Sequence, residues 1–282
     1  MNFRIFALAT CFAFATSAAY ASDATFDRTL NVSSSPNISV TTGSGYIHLR
    51  PGSDNQVHVV GHVHANQVWF GGGRDNRVQQ IVDSPPIVQN GSDITVGERH
   101  NDLFRNISID YDITLPRPSS ITAVTGSGDL DAEDVGASIK AQTGSGSVHV
   151  HGIRGPATLG TGSGDVDLEQ SGPGDVKAET GSGTIRLRGV SGGLRASTGS
   201  GDIEIEGNPT SDWRISTGSG SIRLGVGSAR FNVDVDTGSG SINVVQPLTM
   251  QGSLNRHHIQ GIVNGGGPTI RANTGSGDIQ IK

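Results

Sequence analysis

The sequence predicts an all-β fold, a parallel β-solenoid with two strands per coil of about 18–20 residues and an irregular N-terminal capping region. Three observations support this fold class. A tetrapeptide recurs at a nearly fixed step, apolar and polar residues alternate around each copy, and charges alternate in sign from copy to copy. A fixed period of this length is typical of repeat proteins, in which each repeat buries its apolar side by stacking on its neighbours.

The recurring tetrapeptide is Thr-Gly-Ser-Gly. From Thr125 to Thr237 its steps are 18, 18, 19, 18, 19 and 20 residues, and the last step, to Thr274, is 37 residues. Glycine at two positions supplies the positive φ angles that turns require and that a β-carbon disfavours. The copies begin at Thr42, Thr125, Thr143, Thr161, Thr180, Thr198, Thr217, Thr237 and Thr274.

A strand is predicted on each side of every tetrapeptide. Around Thr198, the apolar residues are Leu194 and Ala196 before the turn, and Ile203 and Ile205 after it. Strict alternation with a period of two indicates a strand with one buried face. The threonine has the same parity as the apolar residues, so we expect it to point inward or into the corner of the coil and to stack as a ladder of hydroxyl groups.

The outward positions of the strand that follows each turn provide an independent test of the register. If parallel strands stack in register about 4.8 Å apart, every acid on this face lies between bases, which penalises slipped registers. From coil to coil these positions carry Asp131/Glu133, His149/His151, Asp167/Glu169, Arg186/Arg188, Glu204/Glu206 and Arg223.

Residues 1–21 are predicted to be a secretory signal peptide. Arg4 precedes a short apolar run at 5–15, and Ala19-Tyr20-Ala21 forms a small-x-small cleavage site. The only cysteine, Cys11, lies within this segment, so we expect no disulfide in the mature chain. The apolar run is too short to span a bilayer, and no transmembrane segment is predicted after it. The expected location is therefore the periplasm, the cell surface or the medium.

Two regions are predicted after the signal peptide. Residues 22–120 form N-terminal strands and a cap, with a long polar excursion at 65–100 that is expected to be a loop with a short strand at 93–96. Residues 121–282 form the regular solenoid. The last coil ends at Lys282, directly after its first strand.

An open solenoid end exposes unpaired backbone groups, and terminal repeats are therefore usually atypical. No cap is evident beyond Lys282. The sequence leaves two alternatives for this end: shielding by the degenerate coil at 246–268, or pairing with another chain. We expect a weak tendency to self-associate there.

The repeat resembles a family of bacterial adhesin-like domains of unknown function over about residues 36–282. The resemblance rests on the repeat Thr198-Gly-Ser-Gly-Asp202-Ile203-Glu204-Ile205, on the strand at 107–115 closed by Pro116, and on the segment at 262–267. It implies a parallel β-solenoid that is exported or faces the cell envelope. The family offers no catalytic residues to transfer to this chain.

Composition and charge exclude several classes of function. The formal net charge is −6, or −7 once Arg4 is removed with the signal peptide, and gives no reason to expect nucleic acid as a partner. The mature chain has no cysteine, and no serine lies in a nucleophile-elbow context. Acids and bases alternate instead of clustering. We therefore expect a non-enzymatic protein without a cofactor; the alternative is a carbohydrate-active enzyme on a parallel β-helix.

No specific metal site is predicted. Histidines two apart on a strand can reach one ion, but a zinc site normally needs three or four ligands. Calcium is not expected in the repeats, since the residue after each turn is aspartate in some coils and serine, threonine or tyrosine in others. The histidine pairs considered are His62/His64, His149/His151 and His257/His258, the last of which is expected to lie in a loop.

A basic stripe is the candidate binding site. Lys177, Arg195 and Arg214 occupy the outward position three residues before the turn in consecutive coils, about 5 Å apart by the strand spacing. Stacked like charges reduce stability, so the stripe indicates an anionic partner such as an envelope polymer or a surface protein. The competing interpretation is neutralisation by neighbours such as Glu179. The predicted function is an exported scaffold or binding surface at the bacterial cell envelope.

Overall fold

The structure is a computed structural model that describes residues 23–65, 76–97, 102–250 and 256–282. The predicted signal peptide at 1–21 and parts of the excursion at 65–100 therefore lie outside the described residues. The described chain contains one α-helix, α1 (Asn76–Asp83), and a 3-10 turn at Asp102–Phe104. The remaining regular structure consists of strands.

In chain order, the strands of the described residues are β1 (Asp23–Asn31), β2 (Asn37–Ser44), β3 (Ile47–Pro51), β4 (Gln56–Ala65), β5 (Ile87–Asn90), β6 (Asp93–Val96), β7 (Ile107–Leu115), β8 (Ser120–Ser127), β9 (Leu130–Glu133), β10 (Ser138–Ser145), β11 (Val148–Ile153), β12 (Ala157–Ser163), β13 (Val166–Gln170), β14 (Val176–Ser182), β15 (Ile185–Val190), β16 (Leu194–Ser200), β17 (Ile203–Gly207), β18 (Trp213–Ser219), β19 (Ile222–Gly225), β20 (Phe231–Ser239), β21 (Ile242–Val244), β22 (Leu248–Thr249), β23 (His258–Val263), β24 (Thr269–Ser276) and β25 (Ile279–Ile281).

These strands form two long sheets, which we call sheet A and sheet B. Within the described residues, sheet A has 12 strands in the order β1-β4-β7-β3-β9-β11-β13-β15-β17-β19-β25-β21. Sheet B has 13 strands in the order β22-β23-β20-β24-β18-β16-β14-β12-β10-β8-β2-β6-β5. From β8 to β19, successive strands alternate between sheet B and sheet A, so each coil contributes one strand to each sheet.

The repeats stack in register, like residue on like residue. Ile185 pairs with Ile203, and Ile203 pairs with Ile222, in parallel strands of sheet A. These three side chains are fully buried, and the inward rows of both sheets belong to one hydrophobic core. The predicted parallel β-solenoid is therefore confirmed.

The turn threonines point inward, as predicted, since all nine are only 2–8 % exposed. They stack in register, but their hydroxyl groups do not form a ladder with one another. Eight of the hydroxyls instead donate to the carbonyl of a glycine in the neighbouring coil, as Thr198 Oγ1 does to Gly183 O at 3.1 Å, and that of Thr42 donates to Ile109 O at 2.9 Å. The buried threonines thus satisfy backbone carbonyls at the corner of the solenoid.

Replacing Thr180 with valine tests this role. Thr180 Oγ1 donates to Gly164 O at 2.9 Å, and valine has nearly the same shape without the donor. We expect a loss of about 1–2 kcal/mol in the free energy of unfolding, measured by urea denaturation. Thr158→Val, at an outward position of β12, is the matched control and should change stability by less than about 0.5 kcal/mol. Equal losses in the two variants would contradict the assignment.

The aspartates directly after the turns form hydrogen bonds between neighbouring coils of the solenoid. Asp202 Oδ1 accepts a hydrogen bond from the backbone N–H of Ser221 at 2.8 Å, and Asp278 Oδ1 accepts one from Ser241 at 2.8 Å. The backbone N–H and the hydroxyl of Ser241 hold the pKa of Asp278 below its ordinary value. These carboxylates therefore bond to backbone groups of the next coil, and not only within their own turn.

The last coil does not lie at the end of the solenoid. Strand β24 pairs with β18 on one side and β20 on the other, and β25 lies between β19 and β21. The coil of Thr274 is therefore inserted between those of Thr217 and Thr237. The expectation that the strand ending at Lys282 has an uncapped edge is wrong, since Lys282 N–H donates to Leu224 O at 2.8 Å in the stack.

The degenerate coil at 246–268 shields one sheet end. Its strand β23 pairs antiparallel with β20, and β22 pairs with β23, so the end of sheet B is closed by a hairpin. His258 begins β23 and does not lie in the predicted loop. Sheet A ends in β21, a strand of three residues. Self-association at this end remains a prediction, and it would use β21 instead of the last strand of the chain.

The N-terminal region departs from the repeat. Strands β1, β4 and β7 form an antiparallel extension of sheet A, and β6 and β5 extend sheet B. The strand expected at 93–96 is present as β6. The expectation of a loop over the rest of the excursion is wrong at β5, which pairs with β6, and at α1, which buries Val78 and Ile81 against β1 and β4. The boundary between the N-terminal region at 22–120 and the regular solenoid at 121–282 remains a prediction.

Candidate anion-binding face

The outward face of sheet B carries four basic residues in register on four adjacent strands. Lys177 pairs with Arg195, Arg195 with Arg214, and Arg214 with Arg271. We call these four residues the cationic stripe. At a strand spacing of about 4.8 Å, the stripe extends about 14 Å along the solenoid axis.

Buried and exposed residues alternate along each strand, and this alternation points the basic side chains outward. On β16, Leu194 and Ala196 are buried in the core, so Arg195 between them must point to solvent. The same pattern on β18 places Arg214 outward between Trp213 and Ile215. Because both strands are regular and in register, the two guanidinium groups project from neighbouring points of one flat face.

The ends and the middle of the cationic stripe differ in their partners. Lys177 Nζ lies 2.9 Å from Glu179 Oε2, and Arg271 lies 3.6 Å from a carboxylate oxygen of Asp212 and 3.6 Å from one of Asp234. In the part of the chain that the structure describes, neither central arginine has a carboxylate oxygen within 4.0 Å. Neutralisation by neighbours therefore applies to the two ends, and the middle of the stripe carries uncompensated charge.

Hydroxyl groups flank the central arginines. Ser197 and Ser216 lie two residues after Arg195 and Arg214, on the same face, and pair with each other across the two strands. A guanidinium group presents a planar fork of donors that matches the oxygens of phosphate, sulfate or carboxylate. Two such forks with two hydroxyl donors beside them form a site suited to an anion with several oxygens.

The outer face of sheet A arranges its charges differently, with acids and bases next to each other. On sheet A, Arg186 pairs in register with Asp167 on one side and with Glu204 on the other. Arg223 Nη1 lies 3.1 Å from Glu204 Oε1. The predicted alternation of acids and bases is thus confirmed on sheet A, except that a register shift after Leu187 removes the expected pairing of Arg188 with Glu206. On sheet B, by contrast, four like charges are stacked.

Two of the histidine pairs considered as metal ligands, His62/His64 and His149/His151, belong to this alternating face. His149 Nδ1 lies 3.3 Å from Asp167 Oδ2, and His62 Nε2 lies 3.4 Å from Asp112 Oδ2. His48, which the sequence analysis did not single out, bridges Asp112 and Asp131 at 3.2 and 2.9 Å. These imidazoles each contact carboxylates of adjacent strands and continue the charge alternation into the N-terminal region.

A shallow groove of about 500 Å³ lies on sheet B toward the N-terminal end. It is lined by residues of five neighbouring strands, among them Lys140 and Thr158, which continue the row of the cationic stripe. Asp93 contributes the one carboxylate of its lining, and that group accepts a hydrogen bond from Asn37 Nδ2 at 2.7 Å. The groove therefore lacks a pair of acids that could act together as acid and base.

Sequence reasoning found three members of the cationic stripe and missed the contact with the fourth. Asp234 precedes Arg271 in chain order, and the stripe was therefore expected to end at Arg214. One signal could have revealed the insertion of the last coil. The residue after each turn alternates between Asp and Ser or Thr from Asp129 to Ser221, and only placing Asp278 before Ser241 continues that alternation.

Comparison with known families identifies the class of protein. Residues 35–282 match the family described as Toastrack DUF4097. The chain belongs to this family, in agreement with the two long parallel sheets. Among curated proteins, none matches the chain significantly.

Solved structures of similar proteins include candidate adhesins. One, from Bacteroides fragilis, is 14 % identical over 92 % of this chain and 97 % of its own, with a TM-score of 0.35. A candidate cell adhesion protein from Clostridium sporogenes is 14 % identical over 92 % and 99 %, with a TM-score of 0.28. A candidate lipid-binding protein from Parabacteroides distasonis is 12 % identical over 92 % and 96 %, with a TM-score of 0.36.

In the described part of the chain, no helix has the length and apolarity needed to cross a membrane.

Proposed function

We propose that this protein is an exported, non-enzymatic β-solenoid that binds an anionic polymer of the bacterial cell envelope through the cationic stripe. One observation carries the proposal. Arg195 and Arg214 are exposed, adjacent in register and without a carboxylate partner among the described residues. Like charges directly opposite each other on a sheet are destabilising, so their retention is explained by an anion that fits between and above them.

The geometry of the cationic stripe favours an extended polymer over a single small anion. Its four basic side chains, of which the two central ones have no carboxylate partner among the described residues, are aligned over about 14 Å, perpendicular to the strands. A chain that carries phosphate or carboxylate groups at regular intervals can contact successive rungs without bending. Each exposed contact is weak, and several of them acting together supply affinity.

The proposal has two further parts: the protein is exported, and it does not act as an enzyme. The predicted cleavage after Ala21 would deliver the mature chain across the inner membrane and expose the stripe to envelope polymers. The single carboxylate of the groove gives no support to the alternative of a carbohydrate-active enzyme. N-terminal sequencing of the exported protein should begin at Ser22, and a chain that retains residues 1–21 would contradict this part of the proposal.

A paired set of variants tests the binding face. The double variant Arg195→Gln, Arg214→Gln should bind immobilised phosphate-bearing cell-wall polymer about 10-fold more weakly than the mature protein, as expected for the loss of two charge-assisted contacts. The control is Arg186→Gln, Arg223→Gln, which removes the same net charge from the alternating face of sheet A. It should retain affinity within about 2-fold.

Measuring polymer binding at increasing salt distinguishes contacts made by the cationic stripe from attraction to the charge of the whole protein. Contacts between exposed charges weaken as ionic strength rises, so the affinity of the mature protein should fall with salt and that of the stripe variant should fall less steeply. Unchanged binding in the stripe variant, or equal loss in the stripe and control variants, would overturn the proposal. A phosphate-free polymer of the same sugar composition should not be retained.

A further inference from the structure

We propose that Asp234, Asp236 and His258 form a binding site for one divalent transition-metal ion, for which Zn²⁺ is the best match. One carboxylate oxygen from each aspartate and one ring nitrogen of the histidine all lie within 4.8 Å of one another. Ligand atoms of a tetrahedral zinc ion lie about 3.3–3.5 Å apart, given bonds of about 2.0–2.1 Å. Small rotations of these partly exposed side chains bring the three ligand atoms to those distances.

The backbone places the three ligands on one face of an antiparallel strand pair. Asp234 and Asp236 are two residues apart on β20, so both point outward from sheet B. His258 lies directly opposite Asp236 on β23, and its Nδ1 is 2.6 Å from Asp236 Oδ1. The main chain of these strands is held by the sheet, so the three ligands start close to a coordinating arrangement.

The chemistry of the ligands favours zinc over the common hard cations. Two carboxylate oxygens and one imidazole nitrogen are ligands that zinc accepts, with water completing the coordination. Calcium requires six to eight oxygen ligands, and magnesium prefers carboxylates and water over imidazole. The ion would neutralise two carboxylates that otherwise repel each other on the same face of one strand.

Arg271 is the competing cation at this site. It lies opposite Asp234 on β24, with its Nε 3.6 Å from Asp234 Oδ2, and its Nη1 is 3.6 Å from Asp212 Oδ2. The other residues in register with the two aspartates are neutral: Gln260 on β23 and Asn273 on β24. Metal binding draws Asp234 away from Arg271, which keeps its contact with Asp212. Removing the guanidinium group should therefore strengthen metal binding.

The position of the site suggests what the metal does. Strand β23 is the antiparallel strand that closes the end of sheet B over β20. An ion held by side chains of both strands would link β20 and β23 in addition to the hydrogen bonds between their backbones. Metal would thus stabilise the closed end, where an open solenoid exposes unpaired backbone groups.

Titration of the metal-free mature protein with Zn²⁺ tests the site. Calorimetry should give about one ion per chain, and the His258 ring signals should shift saturably in NMR spectra. The thermal unfolding midpoint should rise with Zn²⁺ concentration, as linkage requires for a ligand that binds the folded state. Calcium at the same concentrations should leave the His258 signals unchanged.

Three variants and one control assign the ligands. His258→Asn and Asp236→Asn should each weaken Zn²⁺ binding by at least about 10-fold, and Arg271→Gln should strengthen it. His149→Asn is the control, because His149 also contacts an aspartate, at 3.3 Å, but on sheet A. Absence of saturable binding, full binding by folded His258→Asn, or an equal loss in His149→Asn would overturn the site. The two central arginines of the cationic stripe take no part in the metal site, so the Arg195→Gln, Arg214→Gln variant should bind Zn²⁺ normally.

Discussion

Replacing Gly201 with alanine is expected to lower the free energy of unfolding by about 3–5 kcal/mol. Gly201 is the second glycine of its turn and has a φ of +151°, a conformation that side chains rarely adopt. A β-carbon there would also collide with the backbone carbonyl of Gly183 in the neighbouring rung. Neither the backbone strain nor the overlap can be relieved by a rotamer change, because both involve main-chain atoms held in the sheet.

The first glycine of the turn supplies a matched pair of controls. A β-carbon on Gly199 would lie 2.6 Å from Gly181 O, whereas one on Gly43 meets no atom within 4 Å. We therefore expect Gly199→Ala to cost about 1–3 kcal/mol and Gly43→Ala to change stability by less than about 0.5 kcal/mol. Urea denaturation followed by circular dichroism gives all three values. Equal stability of the Gly201 and Gly43 variants would show that close stacking does not require glycine.

Replacing Trp213 with alanine should cause a loss of similar size, about 3–5 kcal/mol. Trp213 is among the largest fully buried side chains, and its indole Nε1 donates to Gly192 O at 3.0 Å. It stacks between Leu194 and Ile270, which places it where the inserted last coil joins the regular series. Truncation of Trp213 to alanine leaves a large cavity and also removes the donor to the carbonyl of Gly192.

Phenylalanine at this position separates the two contributions. Trp213→Phe retains much of the apolar volume and removes the donor, so its expected loss is about 1–2 kcal/mol. The same denaturation experiment should rank the unsubstituted protein first, the phenylalanine variant second and the alanine variant last. Identical losses in the two variants would mean that the hydrogen bond to Gly192, and not packing, accounts for the role of this tryptophan.

Local repetition made much of this fold predictable. The alternation around each turn predicted both strands of every coil, the inward threonines and the register in which Ile185, Ile203 and Ile222 stack. The same register brought Lys177, Arg195 and Arg214 together on sheet B, as expected. These features depend on residues a few positions apart and on one period, and both are visible in the chain itself.

Other features depend on contacts between segments that share no pattern. Helix α1 lies in a polar excursion with only a short apolar stripe, Val78 and Ile81, and was taken for a loop. The antiparallel pairing of β23 with β20 joins Asp236, on a repeat strand, to His258, which lies 22 positions later in the degenerate coil. For that reason the sequence predicted no metal site, and the zinc proposal rests on tertiary structure.

By itself, the sequence determined the shape of one rung, the direction of its side chains and the rule that rungs stack in register. The tertiary structure alone decided the order of the last rungs, with the coil of Thr274 placed before that of Thr237. The physical reason is that the rungs have nearly the same backbone shape and can each stack on any other. Their order is then set by weaker preferences, such as the bond from Ser241 to Asp278, and by how the segment at 246–268 folds back over β20.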